Sequence, residues 1–295
     1  MKSGFVGLIG RPNVGKSTLL NNIIGTKIAI TSNKPGTTRN LIQGIYTDDN
    51  CQMVFVDTPG IHKPKHKLGK ILNKQAYITT NDVDVLLFLV DITEEIGKGD
   101  RYIMDILKKT SKPIILVINK IDRLPKDVIL SKINQYKDLC NFEEIVPVSA
   151  LKGDNVDRLL MVLKNYLTDN IKYFDDGMIT NVSNKFIISE IVREKILELT
   201  NEEVPHSTYC DVSYLCLEDG IYNIHCDIIV DRESLKKIII GKGGSMIKEI
   251  GMKSRKDIEN VVQKKVYLEL FVKVVPKWRE KDKFLNDFGY KDFNN

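Results

Sequence analysis

The chain has 295 residues, of which 42% are hydrophobic and 28% are charged, and its formal net charge is +5. This length suits two ordinary domains, and the composition is typical of a globular protein. Because no run of about eighteen apolar residues occurs and the N-terminus enters a predicted strand directly, we expect neither a transmembrane helix nor a signal peptide. We also expect buried thiols in a reducing cytoplasm, not a disulfide or zinc framework, because the cysteines form no C-x-x-C pair. They are Cys51, Cys140, Cys210, Cys216 and Cys226.

Strand and helix patterns alternate through the first 168 residues. Apolar runs predict strands near 4–9, 41–46, 53–57, 84–91, 113–119 and 144–148. Helical periodicity appears at 16–25, 70–80, 99–110, 126–139 and 154–168. We expect the strand at 41–46 to pair antiparallel with residues 51–57 across the turn at 48–50. The alternation predicts a doubly wound, mostly parallel α/β sheet.

A complete G-x-x-x-x-G-K-[ST] motif lies between the first predicted strand and the first predicted helix. Its residues, with the threonine that follows, are Gly10, Arg11, Pro12, Asn13, Val14, Gly15, Lys16, Ser17 and Thr18. The two glycines let successive N–H groups point at an anion, and the helix adds its positive N-terminal end. Lys16 would reach the β- and γ-phosphates, and the Ser17 hydroxyl would ligate Mg²⁺. The motif predicts that the chain binds a nucleoside triphosphate.

The segment N-K-I-D at 119–122 follows a buried strand, where parallel sheets bind ligands. The Asp122 carboxylate can accept hydrogen bonds from both N1–H and N2–H of guanine, a donor pair that adenine lacks. Asn119 can bridge to the phosphate loop, and the Lys120 stem can lie over the purine. A backbone N–H for guanine O6 is expected from Ser149, Ala150 and Leu151. The predicted ligands are therefore GTP and GDP.

Two further segments are expected to sense the γ-phosphate. The first is Asp57, Thr58, Pro59 and Gly60, in which Asp57 should hold a Mg²⁺-bound water and the Gly60 N–H should contact the γ-phosphate. The second, P-G-T-T-R at 35–39, is the expected first switch. One of its threonines, Thr37 or Thr38, should complete the Mg²⁺ shell only when GTP is bound, and we favour Thr38.

These motifs together resemble the translation-factor-like GTPases. Ile61 stands where Ras-like proteins carry a glutamine that orients the attacking water, so we expect slow intrinsic hydrolysis. The groups expected to act in hydrolysis are Lys16, Thr38, Gly60 and Asn13. Asn13, together with the T-T-R switch, resembles relatives in which K⁺ takes the place of an arginine finger. The alternative is that Asn13 only braces the turn.

The second half of the chain has a different pattern. It predicts, in order, a helix at 186–199, strands at 209–217 and 222–230, a helix at 233–240, the tetrapeptide G-K-G-G at 241–244, a helix at 245–262 and a strand at 266–274. This order is that of a type II KH domain, an α+β fold in which a G-x-x-G loop approaches single-stranded nucleic acid. We therefore expect a GTP-binding domain at 1–168, a linker at 169–181 and a KH domain with a C-terminal helix at 182–295.

Charge is distributed unevenly over the predicted KH domain. Residues 232–265 hold ten Lys or Arg against four Asp or Glu, whereas residues 186–231 hold two against ten. The basic half contains the glycine loop, which suits contact with phosphates. The residues expected to bind RNA are Gly241, Lys242, Gly243, Gly244 and Lys248.

A GTPase domain followed by a type II KH domain resembles the bacterial Era GTPases. The segments at 189–196, 203–207 and 275–279 are similar to that family's entry into and exit from the KH domain. The resemblance implies binding to the 3′ end of 16S rRNA, a role in 16S rRNA processing and 30S ribosomal subunit biogenesis, and a cytoplasmic location with a fraction at the inner face of the cell membrane. We expect a monomer that does not bind DNA. The alternative is a membrane-associated regulatory GTPase whose KH fold binds a protein partner.

Two features allow more than one interpretation. His62 and His66 in the second switch, 57–67, have a spacing that could suggest zinc, but the proline between them argues against a shared helix face. We expect a mobile, solvated basic switch, or one that contacts RNA or a ribosomal protein. Trp278, with the apolar residues that follow it, predicts a C-terminal helix packed on its domain, and stacking on RNA is the alternative.

Overall fold

A computed structural model describes residues 1–34, 36–61, 64 and 66–290 of the chain. Two compact units form it, one from residues 1–64 and 72–181 and the other from residues 65–71 and 182–295. Each unit has its own hydrophobic core. Four residues named in the predictions, Pro35, His62, Lys63 and Lys65, lie outside the described residues.

The first unit is built on a six-stranded sheet in the order β2-β3-β1-β4-β5-β6. Its strands are β1 (Lys2–Gly10), β2 (Ile42–Thr47), β3 (Cys51–Asp57), β4 (Val85–Asp91), β5 (Ile114–Asn119) and β6 (Glu144–Val148). Neighbours run parallel except β2 and β3, which are antiparallel as predicted. Buried apolar runs such as those of β4 and β5 are typical of a sheet covered on its faces.

Helices connect the parallel strands of this sheet. They are α1 (Lys16–Ile24), α2 (Lys67–Asp82), α3 (Lys98–Leu107), α4 (Lys126–Lys137) and α5 (Val156–Leu163), with a 3₁₀ turn at Ile121–Arg123. The α/β fold of this unit is therefore confirmed. The largest difference from the predicted limits is in α5. Its pattern predicts a helix over 154–168, but Asn155 is left-handed before the first turn, and single turns replace the helix up to Tyr166.

The segment at 169–181 is held along the first unit. The Ser3 N–H donates to the Asp169 carbonyl (2.8 Å), and the buried Gln52 side chain donates to the Phe174 carbonyl (2.9 Å). Further on, Thr180 forms a bridge with Gly44, in edge strand β2. These hydrogen bonds tie the segment to strands β1, β3 and β2.

The second unit has a three-stranded sheet in the order β7-β8-β9. Strands β7 and β8 are antiparallel, and β8 and β9 are parallel. Its elements are α6 (Asn184–Leu199), β7 (Tyr209–Glu218), β8 (Ile221–Val230), α7 (Glu233–Ile240), α8 (Ser245–Val262), β9 (Lys265–Val274) and α9 (Asp282–Asp287), with 3₁₀ turns at Lys242–Gly244 and Trp278–Glu280. The predicted order of a type II KH domain is confirmed.

Trp278 lies inside the second unit. Its side chain has no exposed surface, and its indole N–H donates to the Ser207 carbonyl (3.0 Å). The Phe288 ring stacks on Tyr209 with centroids 4.1 Å apart. The predicted packing of this C-terminal segment is confirmed, and Trp278 offers no ring face on which RNA could stack.

All five cysteines are free thiols, four of them buried and Cys216 partly exposed. Within the described ranges, no group of three His, Cys, Asp or Glu side chains is placed to hold a metal ion. None of the helices in that part of the chain is long and apolar enough to cross a membrane.

Candidate nucleotide site and nucleic-acid interface

The phosphate loop connects β1 to α1 and is fixed by the N-K-x-D segment. Gly15 has φ +102°, and a Cβ there would lie 2.1 Å from the Asn119 side-chain nitrogen, so only glycine fits. That nitrogen donates to the Val14 carbonyl (2.7 Å), which is the predicted bridge between Asn119 and the loop. The two segments therefore form one structural unit.

Lys16 is buried beside the loop. Its ammonium donates to the carbonyls of Gly10 (3.1 Å) and Arg11 (3.0 Å). Burial lowers the pKa of Lys16 to about 8. The loop's own carbonyls thus hold this cation where the motif requires it.

Three oxygen-bearing side chains predicted to serve Mg²⁺ lie close together. The Ser17 hydroxyl oxygen is 2.6 Å from Asp57 Oδ2 and 2.9 Å from the Thr38 hydroxyl oxygen. Burial raises the pKa of Asp57, and its Oδ1 has no hydrogen-bond partner among the described residues. An orphaned carboxylate oxygen beside two hydroxyls is an all-oxygen set of the kind that Mg²⁺ binds, so these residues fit the ion. Thr37 is not part of the cluster, since its hydroxyl donates to the Lys34 carbonyl (2.7 Å).

The D-T-P-G segment passes directly against the phosphate loop. Thr58 donates to the Leu8 carbonyl (2.7 Å), and a Cβ on Gly60 would lie 2.7 Å from the Pro12 nitrogen. Ile61 is only 2% exposed and packs into the core. The side chain in this position therefore cannot orient an attacking water.

The predicted base-reading residues converge after β5 and β6. The Ser149 hydroxyl donates to Asp122 Oδ1 (2.6 Å), and the Ala150 N–H donates to the Asn119 side-chain oxygen (2.9 Å). Lys120, left-handed at φ +68°, forms an ion pair with Asp91, the last residue of β4. Motif spacing did not reveal the orienting roles of the Ser149 hydroxyl and Asp91. Asp91 could have been found from its place at the carboxyl end of a strand.

Asn13 and Arg11 point to different partners. Asn13 has φ +66°, and its side-chain nitrogen donates to the Asn33 carbonyl. The Arg11 side chain instead reaches Asp100 of α3 and the nearby Glu94. Sequence patterns had given Arg11 no partner outside the loop.

The G-K-G-G loop lies between α7 and α8 in the basic half of its unit. Gly243 (φ +60°) and Gly244 (φ +79°) have left-handed backbones, and a Cβ on either would meet nothing within 4 Å. Lys242 and Lys248 are exposed. The loop is thus an open backbone surface with cationic side chains beside it, which suits close approach of a phosphodiester chain.

Fold and site together define a phosphate-loop GTPase joined to a KH domain. Residues 5–120 match a family described as 50S ribosome-binding GTPase, and residues 203–279 match the KH domain family. The chain is 51% identical over 290 residues to the GTPase Era of Staphylococcus haemolyticus, covering 98% of this chain and 97% of the relative. The GTPase Era of Staphylococcus epidermidis is 50% identical over the same shares.

Two solved structures of Era proteins resemble this one throughout. One is an Aquifex aeolicus Era variant bound to GDP·AlF₄⁻, and the other is an Era in complex with MgGDPNP and nucleotides 1506–1542 of 16S ribosomal RNA. Each has a TM-score of 0.94 and 43% identity, covering 99% of this chain and 100% of the other. The chain belongs to the Era family of GTPases, and it hydrolyses GTP.

Proposed function

We propose that this protein is a GTP-controlled RNA-binding protein that binds the 3′ end of 16S rRNA and acts in 16S rRNA processing and 30S subunit biogenesis. The observation that carries the proposal is the open glycine loop in the basic half of its unit. The related Era that was solved with 16S rRNA nucleotides supports it. The proposal includes a cytoplasmic monomer with a fraction at the inner face of the cell membrane, which rests on family resemblance.

In the nucleotide site, we propose that Lys16 binds the β- and γ-phosphates of GTP and that Asp122 binds guanine. Ser17 and Thr38 would ligate Mg²⁺ directly, and Asp57 would hold it through a water. Mg²⁺ bound at this site would neutralise negative charge on the phosphates. Thr38 would complete the Mg²⁺ shell only when GTP is bound, which would make residues 35–40 a switch.

Ile61 is buried and cannot orient the attacking water, so we propose that backbone groups mainly position it. The Gly60 N–H would contact the γ-phosphate, and intrinsic turnover would be slow. We further propose that K⁺ assists, held in part by Asn13. The Asn13 side-chain nitrogen donates to the Asn33 carbonyl. The carboxamide oxygen would be the atom that contacts the cation.

A covalent and hydrogen-bonded route leads from the first switch toward the RNA-binding half. The switch residues run directly into β2, and β2 bonds to the segment at 179–181, where the Ile45 N–H donates to the Ile179 carbonyl (2.9 Å). That segment immediately precedes the KH domain. A shift of Thr38 could therefore change RNA affinity, and such couplings typically amount to about 1–3 kcal/mol.

The test is binding of a labelled oligonucleotide of the 16S 3′ end with a GTP analogue, with GDP and without nucleotide. The same measurement is made on Gly243→Asp and on Gln263→Asp, a control that adds the same charge at an exposed left-handed position outside the loop. Tight binding that depends on nucleotide and is lost only in Gly243→Asp is expected. Equal RNA affinity in all nucleotide states would show that nucleotide binding and RNA binding are not coupled. No binding in any state would instead favour a membrane-associated GTPase whose KH fold binds a protein.

A further inference from the structure

Arg11, the second residue of the phosphate loop, is held by a buried carboxylate from another element. We propose that Asp100, in the first turn of α3, is a positioning residue for nucleotide binding that acts through Arg11. It would hold the loop in the shape that receives the phosphates. This inference rests on the proposed phosphate contacts of the loop and assigns a role to a residue outside every nucleotide motif.

Asp100 is itself rigidly held. Its side chain has no exposed surface, its Oδ1 accepts from Arg11 Nε (2.8 Å) and its Oδ2 accepts the Gly97 N–H (2.9 Å). Both carboxylate oxygens therefore have a partner, and the second bond fixes the carboxylate to the start of α3. Because this carboxylate is buried, water cannot take over its two hydrogen bonds without a large energetic cost.

The Arg11 stem lies against the same helix start. A Cβ on Gly99 would lie 2.7 Å from Arg11 Cδ, so the glycine leaves room for the arginine. A second carboxylate, Glu94, also pairs with the guanidinium, but it is 53% exposed. Solvent screens such a contact strongly, so Asp100 should dominate.

Arg11 links this anchor to the groups that meet phosphate. Its backbone carbonyl accepts from the Lys16 ammonium (3.0 Å), while its side chain is held by Asp100. Fixing Arg11 thus fixes the backbone that surrounds the anion and the resting position of Lys16. Without the bond between Arg11 and Asp100, the phosphate loop would sample other conformations. Only the fraction in the binding conformation could then take up the nucleotide, so the affinity would fall.

The experiment is a double-mutant cycle of Arg11→Met and Asp100→Asn on the full chain, measuring affinities for GDP and GMP. Because GMP lacks the β-phosphate, it reports less on the loop. Each single variant should weaken GDP binding about tenfold. GMP binding should weaken less, and the double variant should be no worse than a single one, because both changes break one interaction. Glu94→Gln is the matched control and should stay within about twofold.

Three results would overturn the proposal. Additive losses in the cycle would show that Asp100 does not act through Arg11. Equal losses for GDP and GMP, accompanied by a lower Tm, would reduce Asp100 to a support for α3. Unchanged GDP affinity in Asp100→Asn and Arg11→Met would show that neither residue positions the phosphate loop.

A separate outcome concerns the proposed phosphate site itself. If the unmodified protein binds GMP as tightly as GDP, the proposed phosphate site is wrong, whatever the role of Asp100. If Asp100→Asn does not fold, Arg11→Met alone still tests the proposal. It should lower the affinity for GDP more than the affinity for GMP, and an equal effect on both would contradict the proposal.

Discussion

The nucleotide site and the glycine loop use opposite physical strategies. In the first, polar side chains are bonded to one another, as in the cluster of the buried Thr38 and Asp57 with the half-buried Ser17. In the second, Lys242 is exposed, and Gly243 and Gly244 face open space. We therefore expect the first site to select its ligand by preformed geometry and the second to attract a nucleic-acid chain by charge and backbone access.

This difference sets the size of the expected effects. Removing one member of a buried polar cluster leaves its partners unsatisfied, so single changes in the nucleotide site should be large. Removing one exposed lysine costs only its own screened attraction.

Asp122→Asn should reduce GDP affinity about a hundredfold, because the carboxylate proposed to accept hydrogen bonds from guanine is lost. Inosine diphosphate lacks the N2 amino group, so its affinity should fall less and the preference for GDP should shrink. Calorimetric titration with both nucleotides measures this ratio. Asp127→Asn, an exposed change on α4, is the control. An unchanged ratio would remove Asp122 from base recognition.

Thr38→Ala should slow GTP hydrolysis roughly ten- to a hundredfold while leaving GDP affinity nearly unchanged, since Thr38 is expected to engage only with GTP. Thr37→Ala is the matched control, because the Thr37 hydroxyl bonds to Lys34 instead of Ser17. Single-turnover phosphate release at saturating Mg²⁺ is the measurement. A larger loss in Thr37→Ala would reverse the assignment.

Hydrolysis should be severalfold faster in KCl than in NaCl at equal ionic strength, because a cation beside Asn13 would stabilise charge on the transferring phosphoryl group. Asn13→Ala should abolish the difference between the salts. Equal rates in both salts for the unmodified protein would mean that Asn13 only braces its turn.

Lys242→Ala and Lys248→Ala should each weaken binding of the 16S oligonucleotide only about threefold. Each should also reduce the slope of log affinity against log salt by about 0.7, the value for one contact on a single strand. Lys253→Ala, which removes a lysine paired with Glu249 on α8, should leave the slope unchanged. Anisotropy titrations at several salt concentrations measure these slopes. Equal slopes in all three variants would contradict a phosphate contact by Lys242 or Lys248.

Motif residues could be predicted because their spacing follows from the ligand. In a phosphate loop the G-K-S sequence stands at the start of the helix that follows a strand, as at α1 here, and Ser17 meets Asp57 because β1 and β3 are neighbours in the sheet. Asp100 and the Ser149 hydroxyl could not be predicted in this way. Their roles depend on which side chains the fold brings to the same point, and no spacing rule encodes that.

The ends of helices could be predicted from the sequence in some places and not in others. The apolar pattern of α5 continues to Leu167, which is buried, although the helix ends at Leu163. The chain keeps packing against the core in single turns, so hydrophobic periodicity cannot tell helix from turn there. In contrast, α8 follows its predicted limits, since the left-handed Gly244 and Gln263 bound it.

The bridge between Thr180 and Gly44 has a practical consequence for dissecting this protein. A fragment ending at residue 168 would leave the outer edge of β2 without its partner, and bare sheet edges recruit other chains. A fragment ending after Asn181, whose side chain also accepts the Gln43 N–H, retains that cover. The shorter fragment should therefore aggregate at concentrations where the longer one stays in solution.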